Sequence, residues 1–266
     1  MKEQELQEFY KDYMNNMSVK DICNKYNMSS NSKIYKIIKE FNLKKRENPR
    51  NIKNVNHNFF DEINEIQAYL LGFYLGDGSL YITGNSYNIK IGVKYTDIYI
   101  INLFKKYISP ESNIQTKKSS LFKSVNNKWY TGNEQKLISF TSTKIGKYLQ
   151  DLGFGKNKTN LFKFLPDFSN ENKIHFLRGY FDADGCIMVK LRKEGWINRR
   201  FQLTSYDRNI LDDLVLFLDN NNINSKVYSE RNHFHLLVQK KTEIIKLYKL
   251  LYNNCNFFFE RKKRYF

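Results

Sequence analysis

The sequence predicts a mixed α+β fold made of two similar halves, which follow a small N-terminal bundle of helices in the chain. Three observations lead to this prediction: a helical hydrophobic pattern near the start, a basic stretch broken by proline, and a nine-residue motif that occurs twice. The predicted domains are a helical domain at residues 1–45, a linker at 46–58, a first half at 59–165 and a second half at 166–266.

The composition favours a polyanionic partner. The chain has 44 Lys and Arg against 27 Asp and Glu, which gives a net charge of +17 and an isoelectric point near 9.5. Such an excess points first to nucleic acid, although frequent Asn, Lys, Ile and Tyr are also typical of an AT-rich genome. No apolar run reaches the ~18 residues of a membrane span, and the cysteines form no CxxC pair. An intracellular, reducing compartment is expected.

Residues 1–45 carry the periodicity of three short helices. Apolar residues spaced as one helix face mark the first helix at Leu6, Phe9, Tyr10 and Tyr13. A second helix follows Ser18, and the third is expected to turn inward Ile34, Ile37, Ile38 and Phe41. The arrangement resembles a helix-turn-helix, whose last helix would present to DNA Asn31, Lys33, Tyr35, Lys36 and Lys39. The alternative is a small helical bundle that packs on the neighbouring domain and does not bind DNA.

The repeated motif organises the rest of the chain. Residues 70–78 read LLGFYLGDG and residues 177–185 read LRGYFDADG, which places Asp184 107 residues after Asp77. The flanks repeat as well: two strand-like runs follow each motif, then a helix, further strands and another helix. Both halves are therefore predicted to have the element order αββαββα.

Small residues four apart in each motif predict a close contact between two helices. Residues at this spacing share a helix face, so the expected interface consists of Gly72, Gly76, Gly179 and Ala183. If the helices end at Gly78 and Gly185, Asp77 and Asp184 meet at their tips. Two acids at the negative ends of helix dipoles call for a cation, and Mg²⁺ fits carboxylate oxygens together with the carbonyl oxygens of Gly76 and Ala183. Mn²⁺ is an expected substitute.

The two motifs resemble those of the LAGLIDADG homing endonucleases in their single-chain, two-repeat form. The resemblance covers residues 59–266; the second motif departs at Arg178, and the first has Leu75 where an acid often stands. It implies two antiparallel sheets that straddle DNA like a saddle. It also implies that Asp77 and Asp184 are the catalytic, metal-binding acids, each half cutting one strand.

The family also implies a lysine after the last helix of each half. Lys158 fits this position in the first half, with Lys156 as its rival, and Lys262 fits it in the second, with Lys263 close by. Lys158 lies 81 residues after Asp77, and Lys262 lies 78 residues after Asp184. Either lysine can also be read as part of an ordinary exposed basic cluster.

Strand alternation predicts which side chains read the sequence of DNA. A two-stranded ribbon fits the major groove, and its side chains alternate between the two faces. In the second half Ile187, Val189 and Leu191 are expected to face the core. The DNA-facing candidates there are Met188, Lys190, Arg192, Arg200, Gln202 and Thr204. The analogous candidates of the first half are Tyr81, Thr83, Asn88 and Lys90.

One more pair of residues shares a strand face. His233 and His235 flank Phe234, which is the spacing of a metal-binding pair and equally of an exposed strand face.

The resemblance predicts a metal-dependent endonuclease acting on a long, asymmetric site in double-stranded DNA. A non-cleaving DNA-binding regulator and a maturase acting on intron RNA fit the same scaffold, and a basic interaction module is a weaker option. The presence of both acids favours cleavage, because a degenerate copy can lose an acid without losing the fold. A monomer is expected, since two halves in one chain need no partner.

Overall fold

The computed structural model describes residues 3–15, 17, 19–45, 54–119, 121–123, 127, 129–154, 168–191 and 197–266. The chain divides into two compact units, residues 1–53 and residues 54–266. Residues 54–58, which the sequence assigned to the linker, belong to the second unit. The Asn56 amide donates to the Ile108 carbonyl (2.8 Å), and His57 Nδ1 lies 2.8 Å from Ser142 Oγ. The beginning of the predicted linker, residues 46–53, lies outside the described residues.

The described part of the first unit contains α1 (Glu3–Met14), α2 (Val19–Lys25) and α3 (Asn31–Glu40). One apolar core joins the three helices, with buried side chains at Phe9, Tyr13, Ile22, Ile34 and Ile38. The expectation that Phe41 points inward is wrong: α3 ends one residue earlier, and the Phe41 side chain is 43% exposed. The chain turns at this point through Asn42, whose φ is 48°.

The second unit is organised around two helices that pack against each other, α4 (Glu65–Asp77) and α7 (Asn170–Asp184). Each helix begins at a side-chain cap. Asn64 accepts a hydrogen bond from the Ile66 amide, and Ser169 accepts one from the Asn172 amide. Almost every residue of α4 between positions 66 and 74 is buried, as expected of a helix in the middle of a core.

The four small residues predicted at the helix interface lie there. A Cβ added to Gly72 would come within 2.0 Å of the Phe176 carbonyl oxygen, and one on Gly179 within 2.0 Å of the Tyr69 carbonyl oxygen. Neither position has room for a methyl group. The two glycines therefore let the helix backbones touch, which brings the two helix ends close together.

Each half carries a four-stranded antiparallel sheet of the same topology. The first sheet has the order β1-β2-β6-β3, with β1 (Gly78–Thr83), β2 (Ser86–Lys94), β3 (Gln115–Lys117) and β6 (Gln135–Thr141). Between β3 and β6 lies an additional hairpin of β4 (Leu121–Lys123) and β5 (Trp129–Thr131). The second sheet has the order β7-β8-β10-β9, with β7 (Cys186–Leu191), β8 (Ile197–Ser205), β9 (Lys226–Glu230) and β10 (His233–Val238).

Further helices cover one face of each sheet and complete the αββαββα order, which confirms the predicted fold class. They are α5 (Ile98–Tyr107) and α6 (Thr143–Asp151) in the first half, and α8 (Arg208–Asn220), α9 (Lys241–Tyr252) and the short α10 (Glu260–Lys263) in the second. A single apolar core runs through both halves. None of the described helices has the length and apolar character needed to cross a membrane.

The second sheet departs from the sequence prediction at the far end of its first hairpin. Ile187 is partly buried as expected, but Val189 and Leu191 are 47% and 75% exposed, and their neighbour Ile197 is 55% exposed. Strand alternation puts these side chains on the helix-covered face. The hairpin, however, extends past the covering helices in the described part of the chain. The prediction that Val189 and Leu191 are in the core is therefore wrong.

Candidate active site and nucleic-acid interface

Asp77 and Asp184 are the last residues of α4 and α7, and both are exposed. The residues that follow them, Gly78 and Gly185, are buried. A Cβ on Gly78 would come within 2.3 Å of the Tyr74 ring, and one on Gly185 within 2.1 Å of the Phe181 ring. Both glycines have extended backbone, with φ of −84° and −81°. They are required for space beside an aromatic ring, and each lets the chain leave the helix directly into a strand.

The two helix ends converge. A Cβ added to Gly76 would lie 2.5 Å from the Ala183 Cβ and 2.9 Å from Asp184 Oδ2. The Asp184 carboxylate thus reaches the last turn of the opposite helix, next to Asp77 in the chain. The last carbonyl groups of a helix point beyond its end and carry partial negative charge. Two acids and two helix C-termini therefore create a region of negative potential that favours a cation.

Lys262 lies beside the end of α7. Its ammonium group is buried and donates to the Phe181 carbonyl (3.1 Å) and to the Gly185 carbonyl. Burial lowers the pKa of Lys262 and the charge of Arg261 lowers it further, while the acids Asp182 and Asp184 raise it. The lysine thus places a cation at the negative end of the helix, within the field of Asp184.

The neighbouring lysine points elsewhere. Lys263 Nζ lies 4.2 Å from the centre of the Phe258 ring and 5.8 Å from that of Tyr252. Of the two second-half candidates, Lys262 is the one held at the end of α7. The first-half candidate Lys158 and its rival Lys156 lie outside the described residues.

Asp182 is buried and lies two residues before the exposed Asp184 in α7. It accepts hydrogen bonds from the Tyr69 hydroxyl and the Phe259 amide, both at 2.8 Å. Burial raises its pKa to about 7, against these hydrogen bonds and the charge of Lys262, which lower it. Asp182 therefore joins α4, α7 and residues 253–266, which follow α9 and are called the C-terminal segment below.

Arg178, the departure in the second motif, is a buried structural residue. Its guanidinium donates to Glu65 Oε1 (2.8 Å), to the Phe257 carbonyl (2.7 Å) and to the Leu251 carbonyl (2.9 Å). Glu65 lies in the first turn of α4, so the arginine connects the two motif helices to the C-terminal segment. The departure from the family pattern thus has a packing role away from the exposed acids.

Sequence reasoning missed Arg261, a cation that interacts electrostatically with Asp77. Arg261 donates to Asp97 Oδ1 (2.8 Å) and Oδ2 (2.6 Å), and Asp97 precedes α5 of the first half. This contact raises the pKa of Arg261, and the charge of Asp77 adds to the effect. The segment that carries Lys262 thus also reaches the first half. Nothing local in the sequence indicates the contact, because 164 residues separate the partners.

The predicted DNA-facing residues of the first sheet share one face. In the register of β1 with β2, Tyr81 pairs with Asn88 and Thr83 with Ser86, while Lys90 pairs with Ser79. Tyr81 is 56% exposed, Thr83 is exposed, and Asn88 and Lys90 are partly buried. The opposite face carries the buried apolar residues Leu80, Ile89 and Ile91.

The corresponding face of the second sheet is polar and internally connected. Met188 pairs with Arg200 and Lys190 with Asn198 across the β7–β8 hairpin. Arg200 Nη2 lies 2.8 Å from Met188 Sδ and 3.4 Å from Gln202 Oε1. A depression of about 190 Å³ opens on this face, lined by Met188, Lys190, Asn198, Arg200 and Gln239. Arg192 lies outside the described residues.

In the first unit the exposed face of α3 carries the residues predicted to meet DNA. Asn31, Lys33 and Lys36 are exposed, and so are Tyr35 and Lys39. Ile34 and Ile38 on the opposite side are buried in the helical core. This face is available for a polyanion, and its role stays a prediction.

Comparison with known proteins identifies the scaffold. Residues 171–252 match the family model described as a LAGLIDADG-like domain. A structure of the homing endonuclease I-DmoI in complex with DNA and Ca aligns with a TM-score of 0.50 at 19% identity, covering 75% of this chain and 96% of that chain. The LAGLIDADG meganuclease I-AabMI bound to uncleaved DNA aligns with a TM-score of 0.53 at 17% identity, covering 76% and 88%. Residues 171–252 are thus similar to a LAGLIDADG-like domain, and residues from both halves share the fold of these two proteins.

The chain spans less than two thirds of the length of each of the curated relatives that it matches. The DNA polymerase of Acanthamoeba polyphaga mimivirus is 32% identical over 137 residues, which are 48% of this chain and 7% of the polymerase. The reverse gyrase of Methanocaldococcus jannaschii is 26% identical over 175 residues, 65% of this chain and 9% of the gyrase. A protein of the same archaeon, MJ0314, is 26% identical over 189 residues, with 69% and 63% covered.

Proposed function

We propose that this chain is a site-specific LAGLIDADG endonuclease that cuts double-stranded DNA with divalent cations held by Asp77 and Asp184. The observation that carries the proposal is the convergence of the two motif helices. Each helix ends on an exposed acid, and the Asp184 carboxylate reaches the last turn of α4. Repulsion between two such acids is relieved by a shared cation, which a purely structural helix pair would not need.

The donor set fits a hard divalent cation. Carboxylates of Asp77 and Asp184 and the terminal carbonyls at Gly76 and Ala183 are oxygen donors, which suit Mg²⁺ and also Mn²⁺. When bound, such a cation polarises the phosphate and makes water a better nucleophile. The acids hold it at the convergence of the two halves, so that each half can serve one strand. The resemblance to structures of DNA complexes supports DNA as the polyanion.

Lys262 and Lys158 are proposed to act on the phosphate region of their own halves. Lys262 is held rigidly by two backbone carbonyls at the end of α7. A fixed ammonium group there can orient water or balance the charge that builds on the phosphate in the transition state. Its lowered pKa results mainly from burial, which also strengthens its electrostatic effect on nearby groups.

The two sheet faces are proposed to read the DNA sequence. Arg200 and Gln202 can form paired hydrogen bonds with guanine and adenine edges in the major groove, and Lys190 can contact phosphate. Tyr81, Asn88 and Lys90 occupy the equivalent face of the first sheet. The exposed face of α3 with Asn31, Lys33 and Lys36 is proposed to lengthen the contact.

The monomer is the proposed working form, because one chain supplies both acids. Size-exclusion chromatography with light scattering tests this directly: a mass near 32 kDa in solution is expected. A stable dimer whose dissociation abolishes cleavage would contradict it.

The proposed activity is tested by incubating the purified full chain and Mg²⁺ with a randomised duplex library and sequencing the ends produced. Recurrent ends at one long site, abolished by a chelator, are expected. The matched control for acid substitutions is Asp151→Asn, because Asp151 is also an exposed aspartate that ends a helix, α6. Tight, sequence-specific duplex binding without cuts would favour a regulator, and selective binding of intron RNA would favour a maturase.

A further inference from the structure

Three metal-binding side chains meet on the β9–β10 hairpin. Glu230 and His233 are the cross-strand pair next to the turn, and His235 lies two residues along β10 on the same face. One ligand atom from each residue lies within 4.8 Å of the others. The His233 and His235 ring centres are 4.8 Å apart. A histidine pair spaced by one residue and a carboxylate from the facing strand thus surround one point.

His235 has a buried nitrogen directed at this point. The residue is 8% exposed, and its Nε2 makes no hydrogen bond to any described residue. Glu230 Oε2 lies 3.1 Å from Nε2, but without hydrogen-bond geometry. A buried polar atom without a hydrogen bond is destabilising, so the position favours a ligand.

The other nitrogen of the ring is positioned for metal binding. His235 Nδ1 lies 2.9 Å from Thr204 Oγ1 and 3.0 Å from Gln202 Nε2. When Nδ1 carries the proton and donates it to Thr204 Oγ1, the lone pair of Nε2 is directed at the cluster. In this tautomer the Gln202 amide nitrogen, which is a donor, must turn away from Nδ1. Metal-bound histidines normally use their second nitrogen in this way. Thr204 is thus a positioning residue for the proposed site.

The ligand set selects a class of metal. Two imidazoles and one carboxylate suit Zn²⁺ and other borderline transition ions, whereas Mg²⁺ prefers oxygen donors alone. A tetrahedral zinc site places ligand atoms about 3.4 Å apart. Glu230 is 67% exposed at its side chain and His233 is only partly buried, so both can rotate to close the gap.

We propose that Glu230, His233 and His235 bind a Zn²⁺-class transition-metal ion, separate from the cation site at Asp77 and Asp184. The ion lies on the sheet face that carries Gln202 and Thr204, and it fixes the β9–β10 hairpin against β8. Three protein ligands leave one coordination position for water or an incoming group. The proposal does not depend on cleavage, because it concerns metal binding by the free protein.

The test is a titration of the metal-free full chain with Zn²⁺ without DNA, by calorimetry and by competition with a chromogenic chelator. One Zn²⁺ per chain and a raised melting temperature are expected. His233→Asn and His235→Asn should weaken binding by more than the ~10- to 100-fold typical of losing an outer partner, and Thr204→Val by about that amount. Absorption spectra of the Co²⁺-loaded chain should contain the bands of Co²⁺ bound by histidine nitrogen. These bands should be lost in His233→Asn.

Two controls separate this site from others. His57→Asn changes a histidine far along the chain, and the double variant Asp77→Asn, Asp184→Asn removes the proposed catalytic cation site; both should keep Zn²⁺ binding. His233 is only partly buried, so circular dichroism should show that His233→Asn stays folded. No stoichiometric Zn²⁺ binding by the wild type, or binding unchanged in a folded His233→Asn, would overturn the proposal.

Discussion

Arg178 donates to Glu65 across the interface between the two motif helices, at 2.8 Å from Nη2 to Oε1. The arginine is fully buried, while the Glu65 side chain is 18% exposed and also accepts from the Asn256 amide and side chain. The pair therefore ties both repeats to the C-terminal segment, the segment from which Arg261 and Lys262 reach the candidate site.

Arg178→Ala is expected to destabilise the protein by about 3 to 5 kcal/mol, because it removes the charge partner of Glu65 and the donor to two backbone carbonyls. Urea denaturation followed by circular dichroism measures the loss. The control is Arg208→Ala, which breaks an exposed pair with Asp212 and should cost less than ~1 kcal/mol. Equal losses of unfolding free energy for Arg178→Ala and Arg208→Ala would contradict a buried structural role for Arg178.

Gly179→Ala is expected to destabilise the protein by about 3 kcal/mol or more, at the upper end of overpacking effects. The added methyl group would collide with backbone, which cannot rotate away, so the two helices would have to separate. Gly84→Asn is the control, because Gly84 has φ of 56°, which Asn tolerates, and open space around its Cβ. Equal melting temperatures for Gly179→Ala and the wild type would refute the close backbone contact.

The contribution of His175 to the stability of the protein should be lost as the pH drops below about 6.5. Burial lowers the pKa of His175 and the charge of Arg178 lowers it further, against Glu65 and Glu171. The folded state therefore resists protonation that the unfolded state accepts, so the contribution is complete above the unfolded pKa and is lost below it. Its Nδ1 lies 2.9 Å from Arg178 Nη2, a contact that requires the neutral ring.

The comparison variant is His175→Gln, which cannot titrate. Urea midpoints at about pH 7.5 and about pH 5.5 should fall further for the wild type than for the variant. If the difference in urea midpoint between the wild type and His175→Gln is the same at both pH values, His175 does not control the pH dependence of stability.

Lys262→Met is expected to slow cleavage by about 30- to 1000-fold while duplex binding is largely retained, since the lysine is proposed to stabilise the transition state. Single-turnover cleavage and gel-shift titration separate the two quantities. Lys263→Met is the control, because Lys263 contacts aromatic rings instead. Similar cleavage rates for the two variants would exclude a specific role for Lys262.

Much of the scaffold could be predicted from the sequence because its determinants are local or repeated. The spacing of Gly72 and Gly76, and of Gly179 and Ala183, marks a helix contact wherever the helices lie in the chain. Each motif also carries its own acid and its own helix end. Alternation along β1 and β2 correctly grouped Tyr81 with Asn88, because register and face follow from a period of two.

The predictions that were wrong concern apolar residues near the end of a helix or strand, where the side chain is exposed. Phe41 and Leu191 continue the apolar patterns of their elements, but no described element covers their side chains fully. Local periodicity does not show where such cover ends. The contacts of Arg261 with Asp97 and of Arg178 with Leu251 join distant parts of the chain. A single sequence does not indicate such pairs, because they arise only when segments far apart in the chain pack together.

Strand-resolved cleavage of the selected duplex by single acid variants is the sharpest test of whether Asp77 and Asp184 hold shared cations. If both acids hold shared cations, Asp77→Asn and Asp184→Asn should each lose double-strand cleavage with Mg²⁺ while binding the duplex, and Asp151→Asn should cut as the wild type does. Unchanged cutting of both strands by Asp77→Asn or Asp184→Asn would show that the two acids do not hold shared catalytic cations.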